Sequence, residues 1–331
     1  MKNVSPIINY SFEGSLAKVC DDFIAEKRAL GYSYNTEAKK LREFSKFTLK
    51  YDIQDYTLPE EIVLEWIKRK PTDSDRGQYA RLGLIKVFAE YMQRLGYKAY
   101  CPNKELLGKI QWNYTPYIFT HEEISRFFTA IDRLELKKRS PAPRKHIVMP
   151  MLFRMLYCCG LRVSESTNLL CKDVDLSEGI ITVRESKFGK TRYVPLSQDM
   201  IELYRKYAEK YTLGPNSYFF RAPDDGPYCS RGIYSVFRDV LWVAGISHGG
   251  RGKGPRVHDL RHTFAVHCLE KMVEEGRELT SALPRLSTYL GHDDLAATEK
   301  YLRLTAELYP EITSILDQEY GYVLPKKGGT E

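Results

Sequence analysis

The chain has 331 residues, 43% hydrophobic and 28% charged, a composition typical of a folded protein with room for two domains. Its formal net charge of +7 is mildly basic and does not by itself require a polyanionic partner. The seven cysteines form no C-x-x-C pair and no Cys/His zinc spacing, which excludes a disulfide framework and a zinc motif. Residues 1–10 have no apolar core, and the longest apolar stretch is 147–161, which excludes a signal peptide and a membrane span. We therefore expect a cytoplasmic protein with reduced cysteines and no membrane partner.

The first hundred residues have the periodicity of a helical bundle. Apolar residues recur at helical spacing, Gly31 and Gly96 end two of the runs, and Pro59 starts another. We predict an N-terminal helical domain over 1–105. Taken alone, its pattern also fits a generic helical dimerisation domain. The predicted helices span 16–30, 35–50, 59–69 and 74–95.

A linker and a second domain follow. Residues 106–118 lack clear periodicity and form the predicted linker. Thr120 and Glu123 have the spacing of a capping box, which predicts a helix start. The sequence then predicts a helix over 147–159, a hairpin of two strands with Gly189 in its turn, and a series of helices. The predicted strands are 179–184 and 191–196, and the later helices are 197–211, 230–244, 258–275, 294–303 and 306–318.

Five residues of types that act on phosphodiesters occur in order along this second domain. Arg162 follows a helix end, His258 and Arg261 share one face of a predicted helix, and Tyr301 lies nine positions after His292. Guanidiniums bind phosphate oxygens through paired hydrogen bonds and stay charged at physiological pH. Imidazoles transfer protons near neutrality, and a tyrosine hydroxyl can act as a covalent nucleophile. The set indicates phosphodiester chemistry without a metal.

These residues and their neighbours resemble the tyrosine recombinases of the phage-integrase family. The resemblance spans roughly residues 10–316, and the matching segments follow one another in the family's order. One segment departs from the family's pattern: residues 276–286 are about one helical turn longer than the family's compact turn. The matching segments are Gly160-Leu-Arg-Val-Ser-Glu165, Ser186-Lys-Phe-Gly-Lys190, His258-Asp-Leu-Arg-His-Thr-Phe264, Leu290-Gly291-His292 and Tyr301.

The resemblance implies a covalent reaction. Tyr301 would attack phosphorus, leaving a 3′-phosphotyrosine and a free 5′-hydroxyl, while Arg162 and Arg261 would stabilise the charge of the transition state. Glu165 and Asp259 match the family's flanking acids, which orient the arginines. Two other tyrosines compete for the role of nucleophile on sequence alone: Tyr289 and Tyr309.

The resemblance also implies the proton-transfer groups. Lys187 would protonate the leaving 5′-oxygen, with Lys190 and Arg192 as local alternatives. His258 would transfer a proton near the nucleophile, and His292 would donate a hydrogen bond to the phosphate or to the tyrosine. No cofactor and no metal are expected.

The implied fold is mainly α, with a four-helix core-binding domain over 1–105 and a mixed α+β, mostly helical catalytic domain with a small antiparallel sheet over 119–319. Residues 320–331 are expected to be a flexible tail.

The expected partner is double-stranded DNA, bound by a homotetramer on two duplexes in the bacterial nucleoid. The expected function is that of a mobile-element integrase. Alternatives are a type IB topoisomerase, chromosome-dimer resolution and a non-catalytic DNA-binding protein. The basic charge is divided between 1–105 (18 Lys/Arg, 15 Asp/Glu) and the remainder (32 and 28), which suits a clamp around DNA.

Overall fold

The computed structural model describes residues 7–71, 73–108, 115–134, 144–184, 191–210, 214–250, 254–277 and 279–291. The chain forms two compact units that divide between Tyr114 and Thr115, inside the predicted linker 106–118. Each unit contains an apolar core of its own. Among the described residues, no helix combines the length and the apolar character needed to cross a membrane.

Four helices build the N-terminal unit, and their ends lie within two residues of the predicted ones. Ser74 begins the last of them by accepting a hydrogen bond from the Gly77 N–H, as an N-cap residue does. Edge-to-face aromatic pairs fill the core, with ring centroids 5.3 Å apart for Phe23 and Phe88. The helices are α1 (Ala17–Ala29), α2 (Asn35–Thr48), α3 (Glu60–Ile67) and α4 (Asp75–Arg94).

The C-terminal unit begins with the predicted capping box. The Thr120 side chain accepts from the Glu123 N–H, and the Glu123 side chain accepts from the Thr120 N–H, which starts α5 (His121–Asp132). The predicted helix that ends at Gly160 is α6 (Lys145–Cys158), and a short α7 (Val163–Thr167) follows it. Phe127 of α5 and Phe153 of α6 are fully buried against each other, so the two helices share one core.

A small antiparallel sheet covers one side of this core. Its strands are β1 (Val174–Asp175), β2 (Ile180–Val183) and β3 (Arg192–Pro195), in that order across the sheet. Ile181 pairs with Val194, and both are fully buried. The two predicted strands are confirmed, whereas the two-residue β1 has no sequence signal of its own. The predicted hairpin turn at 185–190, with Lys187, lies outside the described residues.

Four further helices complete the described part of the unit. Those predicted from periodicity are confirmed as α8 (Gln198–Glu209), α9 (Ser230–Val243) and α10 (Asp259–Glu274). Within and beyond the segment 276–286, which is longer than the family's compact turn, residues 279–290 form a helix, α11 (Leu279–Leu290). Ala282, Leu286 and Leu290 are buried at four-residue spacing, and the last two pack against α10. Pro284, which normally disfavours a helix interior, hides this periodicity in the sequence.

The remaining predicted elements cannot be compared with the structure. The helices expected at 294–303 and 306–318, and the tail at 320–331, lie outside the described residues.

Candidate active site

Distant segments of the C-terminal unit bring charged side chains to one place. Arg162 is the residue before α7, Glu165 lies in α7, Arg192 is the first residue of β3, and Arg261 lies in the first turn of α10. We call these four residues the Arg–Glu cluster. The sequence predicts a common site for Arg162 and Arg261, and in the structure both guanidiniums lie beside Glu165, at 2.7 and 3.9 Å.

Glu165 is the centre of this cluster. Its Oε1 accepts hydrogen bonds from Nη1 of Arg162 at 2.7 Å and from Nη1 of Arg192 at 2.9 Å. Its Oε2 accepts from the backbone N–H of Arg162 at 2.9 Å and from Nη2 of Arg192 at 2.8 Å. Arg192 thus binds the carboxylate in the bidentate geometry that gives guanidinium–carboxylate pairs their strength.

Glu165 stays ionised although its side chain is only 6% exposed. Burial alone would raise the pKa of this carboxyl, but hydrogen bonds and charge from Arg192 and Arg162 outweigh burial and lower the pKa to about 2. A permanent negative charge therefore lies among three guanidiniums. Removing it would leave buried positive charges facing one another.

Arg261 is buried, with 1% of the residue exposed. Its Nη1 donates to the Gly160 carbonyl at 2.7 Å, and its Nη2 donates to the Leu290 carbonyl at 2.6 Å. Gly160 has a φ of +58°, and a Cβ there would lie 2.4 Å from the Phe264 ring. Only glycine combines this left-handed backbone with this close approach, so the Gly160 carbonyl that Arg261 binds depends on a glycine.

Arg162 is the more open of the two predicted phosphate-binding arginines, because its side chain is 21% exposed. Its Nη2 donates to the Gly291 carbonyl at 3.1 Å. Arg162 and Arg261 therefore hold the carbonyls of two consecutive residues, Leu290 and Gly291. The residue that follows in the chain is His292, a predicted site residue outside the described part of the structure.

His258 is the residue immediately before α10, one turn before Arg261. Burial, followed by the positive charges of Arg261 and Arg162, lowers its pKa to about 4, against the opposing charge of Glu165. Its ring meets that of His262 edge to face at 4.8 Å between centroids. His258 is therefore a neutral imidazole at physiological pH, able to accept a proton.

Tyr289, an alternative nucleophile by sequence, has a buried and packed side chain. Burial is the largest of the causes that raise the pKa of its hydroxyl far above the ordinary value, and its ring packs on Phe264 at 5.6 Å between centroids. Its backbone carbonyl accepts from Nε of Arg192 at 2.9 Å. Tyr289 thus contributes packing and a carbonyl near the Arg–Glu cluster.

The predicted residues Lys187, His292 and Tyr301, and the rival Tyr309, lie outside the described residues.

Arg192 is the member of the cluster that sequence reasoning missed. The sequence offered it only as an alternative to Lys187 for proton donation, which a guanidinium performs poorly because it does not lose its proton in proteins. The structure instead gives Arg192 contacts with Glu165 and with the Tyr289 carbonyl. Its distance of 27 residues from Glu165 leaves no local pattern that could have revealed the pair.

The Arg–Glu cluster has no carboxylate to spare for a metal, because Glu165 is bonded to arginines on both oxygens. In the described part of the chain, one group has the spacing of metal ligands, namely His121, His267 and Glu270. The sequence shows no zinc motif here because 146 positions separate the two histidines.

Comparison with solved structures relates the fold to recombinases. The XerH site-specific recombinase, in a post-cleavage complex with its palindromic difH substrate, aligns with a TM-score of 0.64 and 19% identity, over 94% of this chain and 92% of that one. The Tn1549 transposon integrase bound to transposon right end DNA aligns with a TM-score of 0.60 and 15% identity, over 88% and 98%. At these identities the comparison establishes a shared fold.

Sequence relatives agree with the fold. A Sinorhizobium fredii protein that carries the name integrase/recombinase y4rB is 29% identical over 306 residues, which cover 90% of this chain and 96% of that protein. The tyrosine recombinase XerA of Pyrococcus furiosus is 28% identical over 199 residues, 58% of this chain and 59% of that one. The sequence model of the phage integrase family matches residues 118–307, more than half of the chain. This chain therefore belongs to the phage integrase family and is a tyrosine recombinase.

Proposed function

We propose that this chain is the integrase of a mobile element, which cuts and rejoins duplex DNA at specific sites through a covalent 3′-phosphotyrosine at Tyr301. The observation that carries the proposal is the convergence of Arg162, Arg261 and His258 around Glu165. Two guanidiniums beside a neutral imidazole suit an anionic phosphodiester whose transition state gains further negative charge.

In the proposed reaction the two arginines bind the non-bridging oxygens of the scissile phosphate. Arg162 is partly exposed, whereas Arg261 is buried and bound to two carbonyls, so a phosphate reaches Arg261 only after DNA binding uncovers it. Glu165 and Arg192 act as positioning residues, since Glu165 holds the guanidinium of Arg162 and Arg192 holds Glu165.

Proton transfer in the proposed reaction uses groups on either side of the phosphate. His258, neutral at physiological pH, accepts the proton that Tyr301 loses as its oxygen bonds to phosphorus. Lys187 protonates the leaving 5′-oxygen, and His292 donates a hydrogen bond to the phosphate or to the tyrosine. Attack of a second 5′-hydroxyl on the phosphotyrosine rejoins the DNA, so the reaction needs no external energy source.

The role in a mobile element is supported by the relatives that align over most of the chain. Two proteins of Sinorhizobium fredii that cover 90% of this chain by sequence are both named integrase/recombinase, whereas the XerA and XerC sequence relatives named in the same comparison match 58–71% of it. Recombination between two duplexes requires four cleavages, which leads us to propose a homotetramer on two DNA molecules.

The test uses a nicked duplex that carries the end of the element encoding this chain, so that cleavage releases a short fragment and traps the covalent adduct. The parent chain should form an adduct that migrates slowly in denaturing gels, and Tyr301→Phe should form none. Tyr289→Phe and Tyr309→Phe serve as matched controls and should retain the adduct. An adduct of parental yield in Tyr301→Phe would disprove the assignment of the nucleophile.

A second measurement separates the recombinase from a topoisomerase. The chain should leave a supercoiled plasmid without the element's ends unrelaxed under conditions in which the nicked site is cleaved. Relaxation of the plasmid at a rate comparable to that of cleavage would favour a type IB topoisomerase activity instead.

A further inference from the structure

Two histidines and a glutamate meet where the start of α5 contacts α10. His121 is the first residue of α5, and His267 and Glu270 lie three apart on one face of α10. One ligand atom from each residue lies within 4.8 Å of the other two. Nε2 of His121 is 2.9 Å from Oε2 of Glu270, and the two imidazoles stack with centroids 3.9 Å apart. The proposed recombination reaction uses none of these side chains.

His267 is buried, and one of its two ring nitrogens has no hydrogen-bond partner among the described residues. Its residue is 8% exposed, and its Nδ1 lies 2.9 Å from the Tyr157 hydroxyl. Its Nε2 is buried and has no hydrogen-bond partner among the described residues. The Phe119 carbonyl is a further neighbour of the His267 ring. Burying a polar atom without a partner is costly, and such atoms are rare in native structures.

We propose that His121, His267 and Glu270 bind one divalent transition-metal ion, with zinc as the best match. Two imidazoles and one carboxylate form a donor set that zinc accepts, with a water as fourth ligand. Tyr157 supports the assignment, because a metal-bound histidine normally donates its other ring N–H to an oxygen. In the proposed site, Nδ1 of His267 donates to the Tyr157 hydroxyl 2.9 Å away, and Nε2 is the ligand atom.

Binding requires a small local rearrangement. With bonds of about 2.0–2.2 Å to zinc, tetrahedral ligand atoms lie roughly 3.4 Å apart, so the cluster must contract and the stacked rings must tilt. The His121 side chain is 65% exposed and can rotate without disturbing the core. The bound ion would tie the start of α5 to α10, the helix that carries His258 and Arg261 at its N-terminal end.

The test is a titration of the full-length, chelator-treated chain with Co²⁺, followed by visible absorption and by displacement with Zn²⁺. We expect one equivalent to bind, and at least about tenfold weaker binding in His121→Gln and in Glu270→Gln. Glu274→Gln, an exposed glutamate on the same helix, is the matched control and should bind like the parent. Cys268→Ser controls for the neighbouring thiol and should also bind like the parent.

Thermal unfolding provides an independent readout, because a ligand that binds only the folded chain raises its unfolding temperature. Zn²⁺ should raise the unfolding temperature of the parent and of Glu274→Gln, but not that of the His121→Gln/Glu270→Gln double variant. Since His121 is exposed, His121→Gln tests the proposal even if Glu270→Gln folds poorly. Equal cobalt affinity in parent and double variant, or loss of binding in Cys268→Ser alone, would refute the proposed site.

Discussion

At the scale of single residues, the candidate site depends on one carboxylate. Glu165 binds Arg162 and Arg192 directly and lies 3.9 Å from Arg261, so three positive charges share one buried negative charge. Three guanidiniums gathered in one place need such a counter-charge, because unpaired guanidiniums are costly to bury. The same carboxylate orients the guanidinium of Arg162.

We predict that Glu165→Gln lowers the free energy of unfolding by about 3–5 kcal/mol, the usual effect of removing one partner from a buried ion pair. The glutamine keeps the volume but places an amide N–H₂ against the guanidiniums. Urea denaturation measures the change. Glu122→Gln is the matched control, since Glu122 is exposed and forms only a surface pair with Arg126. A variant as stable as the parent would mean that the arginines do not need this charge.

His258 should make stability depend on pH. Its pKa is about 4 in the folded chain and about 6.5 in the unfolded chain. The unfolded chain therefore binds more protons between these values, so the contribution of neutral His258, fully present above pH 6.5, is lost as the pH falls towards 4. Burial is the largest cause of this lowered pKa, followed by the charges of Arg261 and Arg162, while Glu165 opposes them and His262 packs against the ring.

Replacing His258 with glutamine should flatten the pH profile of the unfolding free energy between pH 6.5 and 4, by at most about 3 kcal/mol. The comparison at pH 7 isolates the packing effect of the substitution, because His258 is neutral there. Glu165, whose pKa is about 2 in the folded chain, loses its contribution mainly below pH 4.5 and is present in both parent and variant, so it cancels in the comparison. Parallel profiles for parent and variant would show that His258 is not a buried neutral group.

At the scale of elements, the ends of helices hold the site together. Arg261 of α10 binds carbonyls at the end of α6 and at the end of α11, and Arg162 binds the next carbonyl, that of Gly291. The Leu290 carbonyl belongs to the last turn of α11, where carbonyls have no partner within the helix, so Arg261 satisfies it. The site therefore also caps the end of α11.

Gly160→Ala should disrupt this arrangement. A Cβ at Gly160 meets the Phe264 ring at 2.4 Å, and the backbone has a φ of +58°. We expect a loss of stability well above the roughly 1 kcal/mol that a left-handed alanine costs by itself. Gly276→Ala measures that backbone cost alone, since its φ is +69° and nothing lies within 4 Å of its Cβ position. Equal losses in both variants, measured by urea denaturation, would contradict the packing role of Gly160.

The elements also show which features a sequence can predict. The Thr120–Glu123 capping box and the helices of the N-terminal unit follow from local patterns, and their predicted ends agree closely with the structure. In contrast, α11 contains Pro284 and is stabilised by burial against α10, which only the tertiary structure reveals. Arg192 is missed for the same reason, because its partner Glu165 is distant in sequence.

At the scale of the whole molecule, two units with separate cores carry similar charge. Residues 1–114 contain 19 Lys/Arg and 15 Asp/Glu, and residues 115–331 contain 31 and 28. Each core is built around fully buried aromatic side chains, such as Phe88 in the first unit and Phe237 in the second. Cores of this kind lead us to expect that each unit folds when expressed alone.

If both units contact DNA, the salt dependence of binding should reveal it. The logarithm of the association constant falls linearly with the logarithm of salt concentration, with a slope set by the number of phosphates neutralised. We predict that the full chain has a steeper slope than either 1–114 or 115–331 alone, and close to the sum of the two. Fluorescence anisotropy with a labelled duplex between about 50 and 200 mM salt measures all three slopes. Circular dichroism first establishes that each fragment is folded. A full-chain slope equal to that of 115–331 would mean that the N-terminal helices do not bind the phosphate backbone, and would limit the phosphate contacts to residues 115–331.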